Sequence, residues 1–112
     1  MKKLIYIAAP YTNPDPVANT GFAIWTAQAL VDLGFTPVIP HLNLLWHLLQ
    51  PHPPEFWYAY DLEILARCDA LLRIGGESPR ADKEVEYAKE HSIPVFYAIK
   101  ELQDYDQGKS ES

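Results

Sequence analysis

Leu4-Ile5-Tyr6-Ile7-Ala8, closed by Ala9-Pro10-Tyr11, decides the fold. An unbroken apolar run of β-forming residues reads as a strand buried on both faces, because a strand with one wet face alternates polar with apolar side chains. A strand of that kind belongs to a parallel sheet covered by helices on each side. The chain after it supplies them. Asn13-Pro14-Asp15-Pro16 offers cap and first-turn residues, and Val17, Phe22, Ala23, Ala27, Leu30 and Val31 fall mostly on one helical face until Gly34 stops the helix. Phe35 to Ile39 is a second short strand, ended by Pro40.

From His41 to Glu55 the chain holds Trp46, His47, His52 and prolines at 51, 53 and 54, a composition that predicts an ordered loop or a broken helical turn rather than a regular element, placed as a lid. Phe56 to Arg67 reads as a helix and Ala70 to Ile74 as a third strand. Gly75 to Pro79 is a tight loop in which Ser78 caps a helix with Pro79 in its first turn, running to about His91. Ile93 to Ala98 is a fourth strand, followed by a helical turn from Lys100, and Asp104 to Ser112 is expected to be a mobile polar tail. The expectation is one α/β domain over residues 1–103, a small doubly wound, flavodoxin- or Rossmann-like parallel sheet of about four to five strands with the order 2-1-3-4. Ligands bind such sheets outside the carboxyl ends of the strands, where the chain reverses direction, which selects Ala9 to Asn13 and Gly75 to Glu84, with His41 beside them.

Composition agrees with one small globule. The 112 residues are 48% hydrophobic and 21% charged, which excludes a fibrous repeat or a disordered tail, and the length excludes a multidomain enzyme. The net charge of -6 lacks the basic face that a nucleic-acid polymer requires. Cys68, the single cysteine, is expected to be a small core residue. No signal-peptide layout and no run of roughly 18 apolar residues is present, so a cytoplasmic protein with no membrane partner is expected.

Polar side chains on apolar faces mark the chemistry. Ala81, Val85 and Ala88 form the buried stripe of the helix after Pro79, and Glu84 lies at the edge of that stripe, near a helix start that favours its ionised form. Asp61 shares a face with Tyr58, Leu62 and Leu65, while Glu63 faces solvent. Two inward carboxylates at one cleft suit acid, base or nucleophile work at a sugar-like carbon; each also has a structural reading, Glu84 bonded to first-turn amides and Asp61 capping a loop. Tyr6 points from the first strand, where a phenol orients a carboxylate or simply fills the core. Trp46, Trp57, Tyr58 and Tyr60 suit stacking on a planar base, or packing. The histidines lack metal-pair spacing, so neither a metal nor a cofactor is expected.

Ile5 to Tyr11, then Tyr60-Asp61-Leu62, Cys68 to Leu72, Ser78 to Glu84 and Ile93 to Phe96 resemble, in order and spacing, the nucleoside 2-deoxyribosyltransferase superfamily, most nearly its small deoxyribosyltransferase-like branch DUF4406. The resemblance runs from about Lys3 to Leu102. It implies that Glu84 is the nucleophile attacking the anomeric carbon of a 2-deoxyribonucleoside or its 5'-monophosphate, that Asp61 contacts the sugar hydroxyls and assists, and that Tyr6 holds Glu84. Ala9, Pro10, Tyr11, His41, Trp46, Ser78 and Arg80 are the expected substrate-binding residues, with Ser78 and Arg80 near a phosphate. A homodimer or higher homo-oligomer is implied as well. On the same fold, the same residues also suit a non-catalytic nucleoside- or nucleotide-binding module.

Overall fold

The computed structural model describes residues 2–108. Four strands, β1 (Leu4–Ala8), β2 (Thr36–Val38), β3 (Ala70–Arg73) and β4 (Val95–Phe96), form one parallel sheet in the order β2-β1-β3-β4. Tyr6 pairs with Val38 on one side and Leu71 on the other, which places β1 at the sheet centre. Among the described residues five helices surround the sheet: α1 (Pro16–Asp32), α2 (Asn43–Leu49), α3 (Pro54–Leu65), α4 (Pro79–Glu90) and α5 (Ile99–Asp106). A 3-10 turn, Pro40–Leu42, leads into α2.

Side-chain alternation along β1 sorts the core into two layers. Ile5 and Ile7 meet Ala23, Ala27 and Leu30 of α1 and Leu102 of α5. Tyr6 and Ala8 face the opposite way, onto Leu65 of α3 and Ala81, Val85 and Ala88 of α4. The phenol of Tyr6 therefore has to project toward α4. Asp69 ties the strand starts together, because its carboxylate accepts from the Leu4 amide at 2.8 Å while its own amide donates to the Leu4 carbonyl.

Local chemistry explains the helix ends. The Asp15 carboxylate accepts the Val17 amide at 3.1 Å at the start of α1, and the Ser78 hydroxyl accepts the Ala81 amide at 3.1 Å at the start of α4. Gly34, with φ of +95°, ends α1 in a conformation that favours glycine. Gly75 has φ of +82°, and a Cβ there would sit 2.7 Å from Cδ of Pro10. That glycine lets the loop after β3 close on the loop after β1, so both reach the same edge of the sheet. Gly75→Ala is expected to cost about 2 kcal/mol in a denaturant titration, with Gly76→Ala, which meets nothing within 4 Å, as the near-neutral control.

Three expectations need correction. The proline-rich segment holds more than a broken helical turn, because Asn43–Leu49 closes seven residues of regular helix between its prolines. Of the α1 residues expected on one inward face, Ala23, Ala27 and Leu30 are buried, but Val17, Phe22 and Val31 are exposed, since α1 is apolar all round and periodicity cannot choose its inner face. The polar tail expected from Asp104 starts later: Asp104 to Asp106 form the last turn of α5, where Asp106 pairs with Lys3 at 3.0 Å. Residues 109–112 lie outside the described residues.

Candidate functional site

At the carboxyl edge of the sheet lies a cleft of about 550 Å³, a size suited to a small organic ligand. Its walls come from the loop after β1, the turn after β2, α2, the start of α3, and the loop and first turns of α4. Glu84 is the sixth residue of α4 and 4% exposed. Tyr6, fully buried on the central strand, donates its hydroxyl proton to Glu84 Oε2 at 2.8 Å. Burial and the nearby Glu84 and Asp61 carboxylates push the Tyr6 pKa well above its ordinary value, so the phenol stays protonated and remains a donor.

Asp61, 7% exposed on α3, reaches the same cleft and accepts from Asn43 Nδ2 at 3.2 Å. Burial pushes both carboxylic acids up to about 7. For Glu84 the Tyr6 hydrogen bond opposes that rise and the Asp61 charge adds to it, while Arg80 pulls both acids down. The help expected from the helix start is opposed by burial: Glu84 sits past the first turn, and the Ser78 hydroxyl already caps the helix.

Arg80 lines the cleft, donates to the Pro54 carbonyl at 3.2 Å and lies over the Tyr58 ring at 4.9 Å, which fixes its charge between α3 and α4. His41 is buried. Its Nε2 donates to the Pro10 carbonyl at 2.8 Å, and burial lowers its pKa, so the ring is neutral and secures the loop after β1. Asn19 secures the same loop from α1 by donating to the carbonyls of Tyr11 and Asn13. Ala9, Pro10, Tyr11 and Ser78 all line the cleft as expected.

Trp46 does not. It packs edge-on against Trp57 at 5.0 Å and Tyr60 at 5.4 Å, and Trp57 presents the cleft with an aromatic wall in its place. The two tryptophans share one aromatic cluster, and nothing in residue type separates the member that reaches the cleft from the one behind it. Sequence reasoning also missed Asn43 and His47. Trp57 Nε1 donates to His47 Nδ1 at 2.8 Å and the His52 amide points at the same nitrogen at 3.3 Å. Two donors on one nitrogen require it to be bare, so the His47 proton sits on Nε2. The helix α2 that carries both residues has no sequence signal beyond its flanking prolines.

Among the described residues no group of three or more His, Cys, Asp and Glu side chains is placed to hold a metal ion. No described helix is long and apolar enough to cross a membrane. The model of a family described as a domain of unknown function, DUF7768, matches residues 3–98. The chain belongs to the DUF7768 family. The match takes in every residue of this DUF7768 domain that lines the cleft, from Ile7 to Glu84. No curated protein and no solved structure matches the chain.

Proposed function

We propose that this DUF7768 protein cleaves or exchanges the N-glycosidic bond of a 2-deoxyribonucleoside or its 5'-monophosphate through a glycosyl ester on Glu84, as a deoxyribosyltransferase or a nucleotide N-glycosidase. The observation that carries the reading is the buried Tyr6–Glu84 hydrogen bond in a cleft that also holds Asp61, three residues given these roles by the resemblance to the deoxyribosyltransferases. In the first step a Glu84 carboxylate oxygen forms a bond to the anomeric carbon. The bond to the base breaks, and the base leaves with its electron pair and takes a proton, which a protonated Asp61 supplies. In the second step water or an acceptor base attacks the same carbon and gives a proton to the Asp61 carboxylate, the ester bond breaks, and ionised Glu84 and protonated Asp61 are both restored. Two displacements retain the configuration. Ser78, Arg80 and Trp57 line the cleft, and in this reading the first two give a 5'-phosphate a hydroxyl and a guanidinium while Trp57 gives the base a face. Assembly into at least a dimer belongs to the same reading.

Turnover of deoxynucleosides and deoxynucleotides, followed by release of free base with and without a second base, tests this directly. Base release from any of them supports the reading. Tight nucleotide binding without turnover would replace it with a binding module.

The active form of the pair carries one proton, on Asp61, with Glu84 ionised. Because both acids titrate near 7 and interact, the pH dependence of kcat/KM is expected to be a bell centred near neutrality, whose limbs belong to the pair. Arg80→Gln removes the cation that lowers both, so both limbs should move to higher pH. An unmoved profile would contradict the placement of Arg80 between them.

A further inference from the structure

Between Pro16 and Val31, α1 contains no ionisable residue, in a chain with 15 acids and a net charge of -6. Such a helix is ordinarily buried all round, yet α1 covers the sheet with one face only, through Ala23, Ala27 and Leu30. Val17, Ile24 and Val31, seven residues apart, form a stripe on its outer side, and Gly21 and Trp25 lie along that stripe one turn apart. Trp25 is 76% and Val17 69% exposed, while Ile24 and Val31 are also open to solvent. The polar residue of the stripe, Gln28, is satisfied within the helix by donating to Asp32 at 3.1 Å.

Gly21 has no role inside one copy of the chain. It sits mid-helix, where glycine is the poorest former after proline, and a Cβ there would meet nothing within 4 Å. A gap of one side chain beside a protruding tryptophan is a self-complementary pair, the pattern that a two-fold interface demands.

We infer that α1 is a homodimer surface, on which two copies cross antiparallel with Trp25 of each seated over Gly21 of the partner subunit. The inference rests on the oligomeric part of the proposed function and assigns its surface. A helix pair centred between residues 21 and 25 aligns the two stripes in the manner of a short antiparallel coiled coil, with Asp15 and Asp32 confined to the two ends of the contact. Val17, Ile24, Trp25 and Val31 put four exposed large hydrophobic side chains on one face, the apolar centre that an interface between two copies requires. The absence of lysine and arginine from the face disfavours an anionic membrane or nucleic acid as its occupant, and the uncharged stripe is where two acidic chains repel least.

Sedimentation velocity of the full chain, from about 1 to about 100 μM, tests the surface alongside Trp25→Glu and Gly21→Glu, with far-UV circular dichroism to confirm folding. Gly21→Glu is the safer variant, since its side chain enters open space in the single copy. The expected result is a dimer that each variant weakens by at least about thirtyfold. A chain that stays monomeric throughout would overturn the interface and the dimer together. A dimer that both folded variants leave intact would overturn the α1 surface while leaving the oligomeric reading in place, and base release, assayed separately, distinguishes failure of this surface from failure of the glycosidic reading.

Discussion

Glu84→Gln is expected to reduce kcat for base release by at least about a thousandfold, while nucleoside affinity changes no more than a few-fold. The amide has nearly the shape of the acid and its Oε1 still accepts the Tyr6 hydroxyl proton, so the cleft and the hydrogen bond survive. What disappears is an ionisable oxygen able to form the glycosyl ester. A loss that appears only in KM would assign Glu84 to binding, and a variant within tenfold of the native rate would remove the covalent step. Single-turnover base release, with binding measured separately by calorimetry, distinguishes these outcomes.

The same two carboxylic acids should make the folded protein lose stability as the pH rises toward the alkaline side. Glu84 and Asp61 hold their protons up to about 7 in the fold, against ordinary values of 4.5 and 3.8. Below about pH 3 both acids are protonated in the folded and unfolded chains and no penalty exists. Between about 4 and 7 the unfolded chain releases protons that the fold retains, so stability falls as pH rises, and above 7 the fold carries two buried charges. Across that window Glu84 accounts for about 3 kcal/mol and Asp61 for about 4 kcal/mol, each of which corresponds to more than ten degrees in Tm for a domain of this size. His41 acts oppositely, because a buried neutral imidazole favours the fold as the pH rises past the range in which the unfolded ring is charged. Its contribution is common to all variants and cancels in the comparison. The measurement is Tm against pH for the native chain, Asp61→Asn and Glu84→Gln. The native curve should decline from pH 5 to 8, and each variant should flatten it, ending more stable than native at pH 8. Parallel curves for all three would contradict buried, protonated acids.

Burial of Glu84 and Asp61 costs stability, and the same burial raises their titration toward neutrality. A chain selected for stability alone would place amides or apolar residues at 61 and 84.

Much of this was legible in the sequence, because it depended on local rules. The run Leu4 to Ala8 gave the central strand to the residue, and the alternation of strands and helices gave the sheet order. Ser78 and Pro79 marked the start of α4 by capping chemistry. Glu84 and Asp61 stood out because an acid on an apolar face has to be buried or compensated, and both are buried. What escaped was set by tertiary contact. Helix α2 forms in a proline-bracketed stretch with little local preference, so Asn43 and His47 could not be placed. Trp46 and Trp57 are alike in type and differ only in which one faces the cleft. The protonation of Glu84 follows from how deeply α4 packs on the sheet, which no periodicity reports. The outer face of α1 was misread for the opposite reason, since every one of its faces is apolar and the pattern carries no direction.

The central claim is the glycosyl ester, and intact-protein mass spectrometry tests it most directly. A 2-deoxy-2-fluoro nucleoside slows both displacements by destabilising the oxocarbenium-like transition state, and a good leaving base lets the first proceed so that the ester accumulates. The expected result is a mass increase of one fluorinated sugar, mapped by peptide digestion to Glu84, absent in Glu84→Gln and lost on adding an acceptor base. Base release by the native chain with no adduct on Glu84 would contradict the account, as would an adduct on Asp61.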